Sequence, residues 1–104
     1  MTTNPLTSHM VRDVFRPHRD PARAIYDAFQ AEAAKRNGRT VSEWMGRERD
    51  AVLREAVFQA HKCGLRAPSY DEVVQAERSA SGHTDYGAKW AYGVVEAMRC
   101  PPRA

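Results

Sequence analysis

The chain has 104 residues, a net charge of +3 and 42% apolar residues, enough for one compact domain and too few for a second. No run approaches the roughly 18 apolar residues of a membrane span, and Met1-Thr2-Thr3-Asn4-Pro5 lacks the basic and apolar regions of a signal peptide. Two cysteines, Cys63 and Cys100, cannot build a disulfide scaffold, so the expected class is a soluble cytoplasmic protein with both as thiols.

Residues 1–19 read as a leader. Met10, Val11, Val14 and Phe15 recur at helical spacing for about a turn and a half before Pro17 stops them, too short a segment to be ordered unless it docks on the body. A first helix is predicted over 20–37. Asp20 is its N-cap, Pro21 takes the first helical position, and Asn37-Gly38 supplies a left-handed exit. Its apolar stripe is Ile25, Tyr26, Phe29 and Ala33, with Lys35 and Arg36 in the last turn, where cations suit the helix dipole.

A second helix, 41–63, opens on the capping box Thr40 and Glu43 and ends at Gly64. At 1.5 Å per residue it is roughly 35 Å long. Val41, Trp44, Met45, Val52, Leu53, Ala56, Val57, Phe58 and Ala60 spread round most of it, which predicts the central element of the fold. A third helix, 70–81, repeats the device with Ser69 and Glu72 after Pro68 and leaves through Gly82. A fourth, 84–99, carries Trp90, Ala91, Val94, Val95 and Met98 inward until Pro101-Pro102, and its Gly93 predicts a close approach to the second helix. No strand-like alternation competes. The expected fold is all-α, a small bundle of about four helices in one domain over residues 20–100.

Large aliphatic residues are scarce: sixteen positions are Ala, and only sixteen are Leu, Ile, Val or Phe. Such a share falls under the roughly 20% that accompanies disorder in highly charged chains, but this net charge is low. The expectation is a folded domain with a thin core, its helices packed around Trp44, Phe58 and Trp90.

Several constellations bear on chemistry. Glu48 and Glu55 project from the apolar side of the long helix, with Gln59 near its centre. Seven residues separate the two carboxylates by about 10.5 Å, too far for a shared proton or one metal ion. They read better as half-buried carboxylates answered by Arg. His61, Cys63, His83 and Cys100 are zinc-ligand types, but His61-x-Cys63 is not a standard ligand pair and the others are isolated. No cofactor or metal is implied. Ala60, Gly64 and Leu65 occupy the small, turn and apolar positions of a helix-turn-helix corner, yet Asp71, Glu72 and Gln75 would then face DNA, and the carboxylates would repel phosphates. An ordinary helix corner explains the same residues.

Residues 1–40 carry seven basic residues (Arg12, Arg16, Arg19, Arg23, Lys35, Arg36, Arg39) against four acids, whereas residues 41–104 carry nine of each. This basic arm is the candidate set for anion or nucleic-acid contacts. The densest mixed cluster gathers His83, Asp85, Tyr86, Lys89 and Trp90 around one helix start, a place where free N–H groups attract anions. It is the candidate interaction site; the plainer reading of the same residues makes Asp85 a first-turn dipole partner, Tyr86 and Trp90 core, and Lys89 solvated.

The run Gly82–Ala91 (GHTDYGAKWA), with Val41-Ser42-Glu43-Trp44 and the corner Gly64-Leu65-Arg66-Ala67-Pro68, resembles small uncharacterised helical proteins encoded by bacteriophages and prophages, over roughly residues 22–98. The resemblance implies a bacterial host cytoplasm and action by binding a host component. It carries no residue roles. The first functional expectation is therefore a non-enzymatic, all-helical binding protein whose partner is a host protein, which it inhibits, or a second copy of itself; Tyr, Trp and Arg are the types that anchor interfaces. The alternative is nucleic-acid binding through the Arg-rich first 40 residues. An enzyme using His83, Asp85, Tyr86 and Lys89 is the third reading, disfavoured by the lack of any phosphate loop, nucleophile elbow or metalloprotease motif.

Overall fold

The computed structural model describes residues 20–101, four α-helices joined by short turns, with no strand among the described residues. They are α1 (Pro21–Ala33), α2 (Val41–Cys63), α3 (Tyr70–Ala80) and α4 (Tyr86–Arg99). The leader, with Arg12, Arg16 and Arg19, lies outside the described residues.

Local chemistry starts the first three helices where the sequence predicts. The Asp20 carboxylate accepts from Ala22 N at 3.1 Å, and Pro21 follows it. At α3 the capping box is complete: Ser69 Oγ accepts from Glu72 N (3.1 Å), and Glu72 Oε1 accepts from Ser69 N (2.9 Å). At α2 it is half-made. Thr40 Oγ1 accepts from Glu43 N at 3.3 Å, but the Glu43 carboxylate takes the Thr40 hydroxyl (2.9 Å) instead of the cap N–H. Gly64 closes α2 in the left-handed conformation, φ +69°, that a side chain would strain.

Helix α1 ends at Ala33 and not near Asn37. Beyond it the chain tightens into turns in which Lys35 N donates to Glu32 O and Arg36 N to Ala33 O. Lys35 and Arg36 are thus loop residues. In the turn Arg36 stands against α2, where its side chain meets Glu48 and Trp44. Helix α4 likewise starts two residues late, at Tyr86, with Thr84 and Asp85 in the preceding turn.

The core unites Ile25 and Phe29 of α1, Val52, Ala56 and Ala60 of α2, Val73, Ala76 and Ala80 of α3, and five residues of α4. The long helix is not the central element. It is covered on one side only, and Val57 and Phe58 stay exposed on the other, among Arg47, Asp50 and Arg54. Helix α4 takes the central role. It lies along both α1 and α3, and Trp90, Ala91, Val94, Val95 and Met98 are almost wholly buried. Small residues make that possible. A Cβ on Gly87 would come within 2.7 Å of the Phe29 ring, and one on Gly93 within 3.2 Å of Ala76 Cβ. Gly93 thus lets α4 approach α3, not α2, because α3 is the neighbour it lies along.

Of the three aromatics expected at the centre, only Trp90 is there. Its indole N–H donates to Val73 O (3.0 Å), and its ring stands edge-on to Phe29, centroids 5.3 Å apart. Trp44 is half-buried beneath the Arg36 guanidinium, 4.1 Å from its ring centroid. Phe58 is 55% exposed, with the Lys62 ammonium over its face. Both sit on α2, whose apolar residues exceed what one covered side can hold.

Candidate functional site

Two groups of polar side chains stand out. The first is internal. Glu48 is 1% exposed, and Arg36 answers it with two parallel bonds, Nε to Oε2 (2.5 Å) and Nη2 to Oε1 (3.0 Å). The flat face of the same guanidinium covers Trp44, so one loop residue seals a carboxylate and an indole one turn apart on α2. Glu77 of α3, also buried, accepts from Arg49 Nε (2.6 Å) and from the Tyr86 hydroxyl (3.1 Å). Burial, then the neighbouring Glu77 charge, push the Tyr86 phenol far above its ordinary range, so it stays protonated and donates. The ion pairs balance: two carboxylates, two guanidinium groups. Their oxygens are occupied by fixed donors, so the arrangement joins four elements, the α1–α2 loop, α2, α3 and α4. Glu55 stands apart from it and accepts from Gln59 Nε2 at 2.7 Å.

The second group faces outward. A groove of about 510 Å³ runs between the N-terminal halves of α1 and α4, lined by Asp20, Arg23, Tyr26, Asp85, Lys89 and Tyr92, with Ala22 and Ala88 between them. Tyr92 is 61% exposed. A smaller hollow of about 190 Å³ lies on the other flank of Lys89 and Tyr92, over Ala76, Ser79, Ala80 and Gly93. These two side chains therefore form a ridge between two depressions.

This geometry divides the cluster predicted around residues 83–90. Asp85 and Lys89 face the groove, while Tyr86 points at Glu77 and Trp90 fills the core. Consecutive helix positions differ by about 100°, so the pairs Asp85/Lys89 and Tyr86/Trp90, each four residues apart, occupy different faces. His83 is exposed in the α3–α4 turn and lines neither depression. Asp85 stands at the N-cap of α4 without a side-chain cap bond.

The described members of the basic arm each lie near a carboxylate. Arg23 pairs with Asp27 (3.2 Å), Lys35 and Arg39 with Glu32 (3.7 and 3.2 Å), and Arg36 with Glu48. No group of three or more metal-ligating side chains forms among the described residues, and His61, Cys63, His83 and Cys100 are not gathered into one.

Sequence reasoning missed Glu77, Arg49, Arg66 and Tyr92. Glu77 had a signal, since it falls four residues after Val73 on the buried side of α3. Arg66 had none. It reaches back from the α2–α3 corner to donate to Ala97 O (2.6 Å) and Cys100 O (2.8 Å) at the end of α4, and grips both oxygens of Glu72 (2.9 and 2.8 Å). That grip, with the Ser69 backbone bond, holds the Glu72 carboxyl down at about 2. Tyr92 follows Trp90 and Ala91 in sequence but points the opposite way. No family model, curated protein or solved structure matches this chain.

Proposed function

We propose that this chain is a non-enzymatic protein-binding module of the bacterial host cytoplasm that engages its partner through the α1–α4 surface around Tyr92. The observation that carries the reading is the ridge of Lys89 and Tyr92 between two depressions, with Tyr26 and Arg23 across the larger one. An exposed tyrosine with a basic neighbour, set beside recesses lined in part by alanine and glycine, is the pattern of an interface anchor. The internal carboxylates support the same reading, because their oxygens are committed to arginines and to Tyr86. The resemblance to phage-encoded proteins favours a host protein, inhibited by the contact, or a second copy of the chain as the partner. Nucleic acid has less support, since the described basic residues of the arm lie beside carboxylates.

The test is affinity capture from bacterial lysate with the wild-type chain and with Tyr92→Arg, alongside the mass of the purified chain in solution. A stoichiometric protein, foreign or self, that is lost in the variant is the expected result. Equal capture by a folded variant, or a monomer with no partner, refutes this surface.

A further inference from the structure

The outward face of α4 is self-complementary, and we infer that its partner is a second copy of this chain, two α4 helices lying antiparallel across a twofold axis beside Tyr92. This rests on reading the Tyr92 surface as protein-binding and names what binds there. Taking 100° per residue, Asp85, Ala88, Lys89, Glu96 and Arg99 all fall within about 60° of the direction of Tyr92. None of them is buried. The stripe thus reads, along the helix, acid, base, tyrosine, acid, base.

The order of charges selects the partner's orientation. Lys89 and Glu96 lie about 5 Å on either side of the midpoint between Tyr92 and Gly93, and Asp85 and Arg99 about 10 Å on either side. An antiparallel second copy centred there places Lys89 opposite Glu96 of the other copy and Asp85 opposite its Arg99, each contact made twice. A parallel copy in register would set like charges face to face. Within the chain, Asp85 and Lys89 have no ion-pair partner within 4 Å among the described residues, and the Arg99–Glu96 pair (3.3 Å) is about half exposed, a weak contact that leaves both groups able to face a neighbour.

The relief fits the same geometry. The ridge of Tyr92 and Lys89 rises between two depressions, so the surface on either side of the charged stripe recedes from an approaching copy. Gly93, Ala76 and Ala80 line the smaller hollow, and Ala88 stands on the stripe itself, so the helix surface next to Tyr92 is built largely of small residues. A foreign protein needs no self-complementary charge order; a second copy does.

The test is charge reversal with rescue, on the full chain. Mass is measured by light scattering and sedimentation from about 1 µM to about 1 mM, the range in which weak and moderate interfaces associate. The wild type forms a dimer. Lys89→Glu and Glu96→Lys, each with an unchanged helical circular dichroism spectrum, weaken it at least about tenfold, because each juxtaposes like charges twice. The Lys89→Glu/Glu96→Lys double variant returns the dissociation constant to within about threefold of wild type. A wild-type chain that stays monomeric throughout overturns the inference, and lysate capture lost in Tyr92→Arg then still upholds the protein-binding reading with a foreign partner. A dimer indifferent to both reversals, or one the double variant fails to restore, overturns it as well.

Discussion

The interior network and the outer face of α4 are built from the same kinds of side chain and differ in whether the chain answers its own polar groups. Inside, Tyr86 donates to Glu77, and Arg36 and Arg49 hold Glu48 and Glu77. Among the described residues, no buried side-chain nitrogen or oxygen lacks a partner. Outside, Tyr92 is 61% exposed, Asp85 caps nothing, and Lys89 stands between two hollows. Burial forces a polar group to find its partner within the fold, because an orphan costs about twice what a satisfied bond contributes. Exposure removes that demand and leaves the group for another molecule. In this chain the interior groups hold the helices together, and the surface groups are free to act.

The largest test of the contrast is Arg36→Ala. It strips the buried Glu48 of its cation and Trp44 of its cover, and an uncompensated buried charge costs about 3 kcal/mol or more. The urea midpoint should fall accordingly. Adding Glu48→Gln removes the stranded charge, so the double variant should be more stable than Arg36→Ala alone. If it is less stable, Glu48 is held by water or by groups other than Arg36, and the interior is not the closed network described.

A smaller effect is expected at the α2–α3 corner, which is half-buried and so intermediate between the two regions. Glu72, held at about 2 by Arg66 and Ser69, is ionised in both folded and unfolded chains above about pH 5. Its contribution is therefore complete there and is lost as pH falls from the ordinary carboxyl value of 4.5 toward about 2. After allowance for solvent screening of this partly exposed pair, Glu72→Gln should cost about 1–2 kcal/mol near neutral pH and only a small remainder at about pH 2. Urea unfolding at several pH values checks it; a variant as pH-sensitive as the wild type across that window would place the titration elsewhere.

How much of this was legible depended on the distance to the partner. Asp20-Pro21, the Ser69/Glu72 box and Gly64 are readable because cap and backbone are within four residues of each other. The end of α1 was not, since Arg36 leaves helical geometry for a carboxylate twelve residues on. Apolar spacing placed Glu48 on the inward side of α2 and foresaw an arginine, but not which one. Trp44 and Phe58 misled because α2 has apolar residues on most sides, and which arc is covered is settled chiefly by α1. The candidate site was half legible. Asp85 and Lys89 were singled out as part of a cluster at a helix start, but helical spacing sets Tyr86 beside Trp90 on the inward side, and the outer face belongs to Tyr92, which the cluster did not include.

The smallest effect on stability belongs to Tyr92, and it probes the other side of the comparison. Its ring is mostly in water, it closes no cavity in the core and it makes no hydrogen bond among the described residues. Tyr92→Ala should therefore leave the unfolding free energy of the monomer within about 0.5 kcal/mol of wild type, the usual range for surface substitutions. Measured at low concentration, where association does not contribute, such neutrality means that the fold does not need this aromatic. A loss above about 1 kcal/mol under those conditions would mean that Tyr92 is a structural residue in contact with more of the chain than the groove implies. Helix propensity works against retaining it, because alanine is the better helix former by several tenths of a kcal/mol. On the proposed reading, a tyrosine that the fold does not need, set where alanine would suit the helix better, serves contact with another molecule.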